Sequence, residues 1–508
     1  MKKCTLFSFL TIVSLLVSSG CKELLEEFIR HRDGDASSSE DPANFREIGQ
    51  VALGTEGAAE ITAYDPITKK LFVVSNDTDS RIDVVDLQDP ANPTLLETID
   101  VTAYGGGANS VAVSNGRLAV AVEADLAQEP GLIVFFNTDD LHEVRQVPVG
   151  ALPDMVTFSP DGRYVLSANE GEPSGEYDVD PLGTVSMVDL EHDFAVTTLD
   201  FSGFTGQQAA LEAQGLRVFG PEASLAQDVE PEYIAVSDDS KHAWVSLQEN
   251  NGLARVDLAS KTITDIFPLG FKDYSLPENA IDASDRDDQI QLNSWPVLGM
   301  YQPDAIAAYA VDGGAYVITA NEGDARDYDG FTEEDRVENL TLDAEAFPNA
   351  ETLQQEDQLG RLEITTTLGD TNEDGDYEAL YSYGARSFSI WDGATGEQVY
   401  DSGNELEQEV LAAHRYDDDR SDAKGVEPEG VALGKVSGRT IAFIGMERVD
   451  AVAVYDVTNP YAPQFLQLLL SGDAPEGLVF VSAEDSPNGK SLLIVSSEGD
   501  GLVKLFQP

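Results

Sequence analysis

The chain has 508 residues, 42% of them hydrophobic, which supplies apolar material for a large folded body and excludes a disordered chain. Acidic residues outnumber basic ones 93 to 30, a formal net charge of −63, which excludes nucleic acid and anionic head groups as partners of that body. Such a coat either solvates the surface in salty surroundings or gathers divalent cations.

Residues 1–20 read as a signal peptide. Lys2 and Lys3 form a basic start, Leu6 to Val17 is apolar but too short to span a membrane, and Ser18-Ser19-Gly20 supplies small residues for cleavage. Cys21 follows directly and resembles the lipobox cysteine of bacterial lipoproteins, which is lipidated and becomes residue one. Ser18 departs from the usual aliphatic residue there, and an ordinary secretory signal is the alternative. The other cysteine, Cys4, lies in the segment to be removed, so the mature chain forms no internal disulfide. The expectation is an exported lipoprotein, facing periplasm or cell surface, attached to its membrane through lipid alone. Residues 21–44 are polar, charged and Ser-rich, a tether or flexible linker.

From Phe45 to Pro508 short apolar strands recur with turn residues between them. Ala151 to Leu190 gives the clearest unit: strands at Met155–Phe158, Tyr164–Ala168 and Thr184–Asp189, with a Ser159-Pro160-Asp161-Gly162 turn after the first. A fourth strand follows at Val196–Phe201. Four strands per unit at roughly 45-residue spacing predict an all-β fold, a β-propeller. We count seven blades, with an eighth, degenerate one near Arg361 to Tyr383 as the alternative. The last unit lacks a fourth strand, and Arg46 to Leu53 is expected to supply it and close the ring. Insertions are expected at 202–227 and 324–359.

The repeat carries carboxylates. Just before the first strand of each unit stand Glu60, Asn109, Asp154, Glu232, Asp304, Glu429 and Glu476. Just after the second stand Asp77, Glu123, Glu170, Glu249, Glu322, Glu447 and Glu498. In a propeller both positions converge at the mouth of the central channel. Crowded like charges take up protons unless cations compensate them, and oxygen-rich surroundings suit calcium. The alternative is that each carboxylate caps a local turn through backbone N–H groups.

A second calcium candidate runs through Asp370, Asn372, Asp374, Asp376 and Glu378, with Gly375 at the sixth position. Tyr381 stands where an EF-hand would place its closing Glu, so an EF-hand is excluded, and a solvated acidic turn is the alternative. Arg326, Arg386 and Arg448 fall near the acidic face and are candidates for gripping a phosphate or carboxylate; otherwise they pair with neighbouring acids. The five His residues have no zinc spacing, and no nucleophile elbow, P-loop or dinucleotide fingerprint occurs.

Asn321-Glu322-Gly323-Asp324-Ala325-Arg326-Asp327-Tyr328, the loop from Asp370, Arg386-Ser387-Phe388-Ser389-Ile390-Trp391-Asp392 and Glu427-Pro428-Glu429-Gly430 together resemble the bacterial choice-of-anchor I proteins. The likeness runs from about Phe45 to the C-terminus. It implies an exported propeller, similar to mesenchyme-specific cell surface glycoproteins of animals, and through them calcium and mineral. Some relatives carry an alkaline phosphatase label, although the motifs of that enzyme class are missing here. Two functions are expected. The first is a lipid-anchored, calcium-binding surface propeller that recognises a protein, polymer or mineral. The second is a calcium-dependent phosphoester hydrolase, in which metal and Arg bind phosphate and activate water as in propeller phytases; its catalytic residues are unknown.

Overall fold

Strands such as Tyr164–Asn169 and Thr184–Asp189 are buried along their whole length, whereas Thr94–Asp100 is exposed at all but one residue. That contrast is what a stack of sheets demands: middle strands are covered on both faces, and the last strand of each sheet meets water. The computed structural model describes residues 40–508 except 288. The expectations for the signal segment, Cys21 and most of the tether therefore lie outside the described residues.

Seven four-stranded antiparallel sheets form the body. In chain order, sheets 1 to 6 span 62–100, 107–151, 153–200, 231–268, 306–401 and 428–470. Sheet 7 joins Pro475–Val481, Leu492–Ser497 and Leu502–Gln507 to Arg46–Ala52 from the other end of the chain. Arg46–Ala52 runs antiparallel to Leu502–Gln507, with Arg46 opposite Gln507 and Ala52 opposite Leu502. The turn expected at 159–162 forms: the Gly162 N–H donates to the Ser159 carbonyl at 2.7 Å, and Gly162 takes a φ of 72°.

The first strands touch one another in sheet order, and the first strand of sheet 7 touches that of sheet 1. The apolar core is divided accordingly. Phe72, Val84, Val120 and Phe136 fill the space between sheets 1 and 2. Phe388, Ile444 and Tyr455 do so between sheets 5 and 6, and Leu71, Val73, Ile494 and Leu505 between sheets 7 and 1.

Two additions interrupt the sheets. Residues 202–228 carry short helical turns that send Phe204, Leu211 and Leu225 into the core between sheets 3 and 4. The larger addition comes from two stretches, 271–300 before sheet 5 and 322–383 between its second and third strands. They share a core of their own containing Tyr274, Val297, Val337, Leu359 and Leu362. Residues 361–383 form no four-stranded sheet: Glu363–Thr365 pairs only with Glu334–Arg336, and Tyr381–Ser382 pairs only with Leu298–Met300.

Candidate carboxylate-lined channel site

In five of the seven sheets a Pro-acid step stands at or just before the first strand: Pro153-Asp154, Pro231-Glu232, Pro303-Asp304, Pro428-Glu429 and Pro475-Glu476. Proline has no N–H to give a ladder and so suits the first residue of a strand. Ahead of it, Leu152, Gln302, Glu427 and Ala474 take φ values of 47°, 41°, 47° and 52°. The left-handed region costs a residue with a side chain of order 1–3 kcal/mol, and such strain gathers at functional sites. The ladder then slips between Pro153 and Val156, Pro231 and Ile234, Pro428 and Val431, and Pro475 and Leu478. Bulges of this kind turn a side chain out of the regular alternation. Here they deliver the acids to a common cavity of about 290 Å³. Asn109, Asp154, Glu232, Asp304, Glu429 and Glu476 line it, together with Glu322 and Asp324 from the end of a second strand.

Within this ring the carboxylates fall into groups. Oxygens of Asp154, Glu170 and Glu232 all lie within 4.8 Å of one another, as do those of Asp304, Glu322 and Glu429, and of Glu322, Glu427 and Glu447. Burial, followed by repulsion from Glu172 and Glu123, pushes the Asp154 carboxyl up to about 7. Burial likewise lifts Glu60 to about 7, against the hydrogen bond from Asn76 Nδ2 at 2.7 Å. Glu170, Glu232, Asp304, Glu429 and Glu476 are raised well above the usual carboxylate range, first by burial and then by their acidic neighbours. Oε2 of Glu249, Glu429 and Glu476 is buried and has no hydrogen-bond partner among the described residues. Glu249 itself is 8% exposed and sits close enough to Glu170 and Glu232 to raise both.

The two halves of the ring differ in compensation. Lys424 Nζ lies 2.9 Å from Glu322, 3.6 Å from Glu427 and 3.8 Å from Asp324. Burial opposes its charge, but these carboxylates hold the ammonium protonated well above its ordinary range. Arg448 adds contacts to Glu447 at 2.9 Å and Glu427 at 3.2 Å. Among the described residues no basic side chain pairs with Asp154, Glu170 or Glu232. Three carboxylates supply up to six oxygens, and calcium takes six to eight oxygen ligands, completed by water. The donor set of this trio fits a hard divalent cation.

The remaining sequence candidates are placed as follows. Glu123 is raised by burial and faces Asp154, and Glu498 stands beside Glu60 and Glu476. Asp77 instead pairs with Arg81, whose hydrogen bond holds its carboxyl below the usual range. Arg326 and Arg386 are not anion grips. Arg326 is 2% exposed and clamped by Asp228 at 2.7 Å and Glu230 at 3.0 Å. Arg386, equally buried, donates to the carbonyls of Asp282, Ser421 and Ala423 and contacts Glu407 at 3.3 Å. An anion would have to displace these partners in the interior, where a separated charge is costly.

In the Asp370 loop, oxygens of Asp370, Asp374 and Glu378 converge within 4.8 Å, and Asp376 stays out of that trio. Asn372 Nδ2 donates to Glu378 Oε1 at 2.6 Å, so it presents nitrogen rather than oxygen to the group. Asp370 accepts from the N–H groups of Asp374 and Gly375 at 3.2 and 2.9 Å, and Glu378 from that of Thr371 at 2.7 Å. These bonds are those of an acidic turn, while Asp376 Oδ1 is buried with no hydrogen-bond partner among the described residues.

The sequence pattern singled out neither Lys424 nor Glu172, and Asp324 and Glu427 entered only as members of longer motifs. The recurring Pro-acid step was the available signal for the channel. Nothing local marks Lys424, whose partner Glu322 stands 102 positions away.

Comparison with known proteins finds relatives at low sequence identity. Gigasin-3a of Magallana gigas is 30% identical over 188 residues, covering 30% of this chain and 66% of that protein. A mesenchyme-specific cell surface glycoprotein of Strongylocentrotus purpuratus is 26% identical over 336 residues, covering 54% of this chain and 42% of its own. The chain thus spans less than two thirds of each relative's length. Among solved structures, Kuenenia stuttgartiensis hydrazine synthase aligns at TM-score 0.48 and 12% identity, over 89% of this chain and 96% of that one. The Cps50 (Swd1) β-propeller domain of Myceliophteria thermophila aligns at 0.46 and 9%, over 92% and 100%. The family model of the choice-of-anchor I domain matches residues 60–460, most of the chain, and the protein belongs to that family.

Proposed function

We propose that this protein is an exported, seven-bladed surface propeller, closed by Arg46–Ala52, that binds calcium in its central channel and acts by recognition rather than by chemistry. The blade count is supported by the seven four-stranded sheets and by the cyclic contacts of their first strands. A surface location is supported by the family and by the printed name of the sea-urchin relative. Attachment is through the lipid expected on Cys21, which follows a small-residue cleavage site. The observation that carries the calcium reading is the trio Asp154, Glu170 and Glu232, converging within 4.8 Å with no basic partner among the described residues. The phosphoester hydrolase reading loses two of its three arginines to the interior, and Arg448 is already paired with Glu427 and Glu447.

Isothermal titration of the purified protein with calcium at pH 8 tests the site. Saturable binding that disappears in Asp154→Asn/Glu232→Gln is expected. Binding that persists unchanged in that variant, or no calcium-specific heat over matched magnesium and sodium, refutes it.

A further inference from the structure

Two of the channel's carboxylate trios are built from the same three sequence steps. Asp154 and Asp304 each follow a proline at the head of sheets 3 and 5. Glu170 and Glu322 each stand in an Ala-Asn-Glu-Gly step at the end of the second strand of those sheets, Ala168 to Gly171 and Ala320 to Gly323. Glu232 and Glu429 each end a Val-Glu-Pro-Glu step at the head of sheets 4 and 6, Val229 to Glu232 and Val426 to Glu429. The local structure repeats as well. Asn169 Nδ2 donates to the hydroxyls of Thr184 and Ser186 at 3.1 Å, and Asn321 Nδ2 to those of Ser387 and Ser389 at 3.2 and 2.8 Å, so each Asn is tied to the third strand of its sheet. Gly171 and Gly323 then take φ values of 71° and 93°, a turn that only glycine makes without strain. Equivalent positions thus bring three carboxylates within 4.8 Å of one another twice, once across sheets 3 and 4 and once across sheets 5 and 6.

One contact separates the two copies. In the second, Glu322 has both oxygens engaged: Oε1 lies 2.9 Å from Lys424 Nζ, and Oε2 accepts from Gln248 Nε2 at 3.0 Å. Among the described residues Lys424 is the only basic side chain paired with Asp304, Glu322 or Glu429, and the first copy has none. Lys424 is delivered on a clamped loop. The buried guanidinium of Arg386 donates to the Ser421 and Ala423 carbonyls at 2.8 and 2.9 Å, and Arg361 grips Asp422 at 2.9 Å. Behind Lys424, the Gly425 N–H donates to the Arg420 carbonyl at 3.0 Å. A group held this way acts at high effective concentration, and a dissolved ion has to displace it.

We propose that the channel carries one cation site in two copies and that Lys424 is a tethered ion closing the second, so that Asp154, Glu170 and Glu232 take calcium while Asp304, Glu322 and Glu429 do not. This rests on the calcium reading of the first trio. A lysine ammonium is a compact point charge that compensates one carboxylate here and leaves Glu429 Oε2 buried without a partner. Removing it frees Glu322 Oε1 and gives the second copy the uncompensated donor set of the first, suited to a cation that takes six to eight oxygens. Glu427, which Lys424 also approaches at 3.6 Å, keeps Arg420 and Arg448 as partners.

The test counts ions. Calcium bound per chain at pH 8 is measured by calorimetry and equilibrium dialysis on the full-length protein, for wild type, Lys424→Met and Lys424→Met/Glu429→Gln. Expected is about one more calcium ion per chain in Lys424→Met than in wild type, and loss of that extra ion in the double variant. Asp154→Asn/Glu232→Gln reports the first copy separately. If it removes no ion, the calcium reading itself fails. If it removes an ion and Lys424→Met gains none, that reading stands and the tethered-ion inference falls. A gain that survives Glu429→Gln places the ion elsewhere and overturns the inference too. Loss of the ammonium leaves crowded carboxylates to repel one another, so the variants are purified in calcium, and Lys424→Gln, whose amide can still donate to Glu322, is carried alongside. Unfolding of Lys424→Met in EDTA that calcium reverses, and sodium of equal ionic strength does not, supports the second copy. Failure of both single variants to fold in calcium overturns it.

Discussion

Without divalent cations this protein should be more stable at pH 5 than at pH 8, against the usual tendency for stability to peak in the neutral range. Glu60 rises from 4.5 in the open chain to about 7 when folded, and Asp154 from 3.8 to about 7. Between those values the folded protein keeps protons that the unfolded chain has released. Stability is then fully present below about pH 4, falls as pH rises, and levels once both groups ionise near 7. One pH unit of difference is worth about 1.4 kcal/mol, so ionising Glu60 costs the fold about 3 kcal/mol and Asp154 about 4. The two groups feel one another, so their costs do not simply add. Part of each loss falls below pH 5, so one group alone contributes about 2–3 kcal/mol between pH 5 and 8, and that is the least loss expected. Acids held low by partners, such as Asp189 at about 2 and Asp77, gain their stability below this window and leave it clear. Calcium should reverse the loss at pH 8, by about 2.7 kcal/mol at a hundredfold excess over its dissociation constant. Urea unfolding in EDTA at both pH values, then at pH 8 with calcium or sodium of equal ionic strength, measures each part. In Glu60→Gln/Asp154→Asn the pH dependence should flatten. An EDTA midpoint equal or higher at pH 8, or identical curves in calcium and sodium, refutes the reasoning.

Arg326→Ala should destabilise the fold by about 3–5 kcal/mol, because it strands Asp228 and Glu230 in the interior; an effect near zero in chemical unfolding would show the pair to be solvated. Cys21→Ser should move the protein from the membrane to the soluble fraction, and mass spectrometry of the wild type should find diacylglycerol on Cys21; its absence there ends the lipoprotein expectation. Asp374→Ala/Asp376→Ala should remove any part of the calcium-specific rise in melting temperature that belongs to the 370–378 loop; a response equal to wild type makes that loop an acidic turn only.

The sequence by itself carried the strands, the turns and the repeating acids, because each depends on neighbours within one unit. The Ser159–Gly162 turn and the pairing of Arg46–Ala52 with the C-terminal strand follow from local turn chemistry and from a strand lacking its partner. The site was legible only as a ring of positions. Which acids meet was decided by how seven sheets come together: Asp154, Glu170 and Glu232 form a trio across two sheets, while Asp77 turns to Arg81 four residues away. Lys424 and Glu322 are 102 residues apart, and Arg326 and Asp228 are 98 apart, so no local pattern announces either pair. The 271–300 stretch shares a core with residues 322–383, and no pattern within it announces that partner. Periodicity is a property of the chain, whereas compensation of charge is a property of the space between packed sheets.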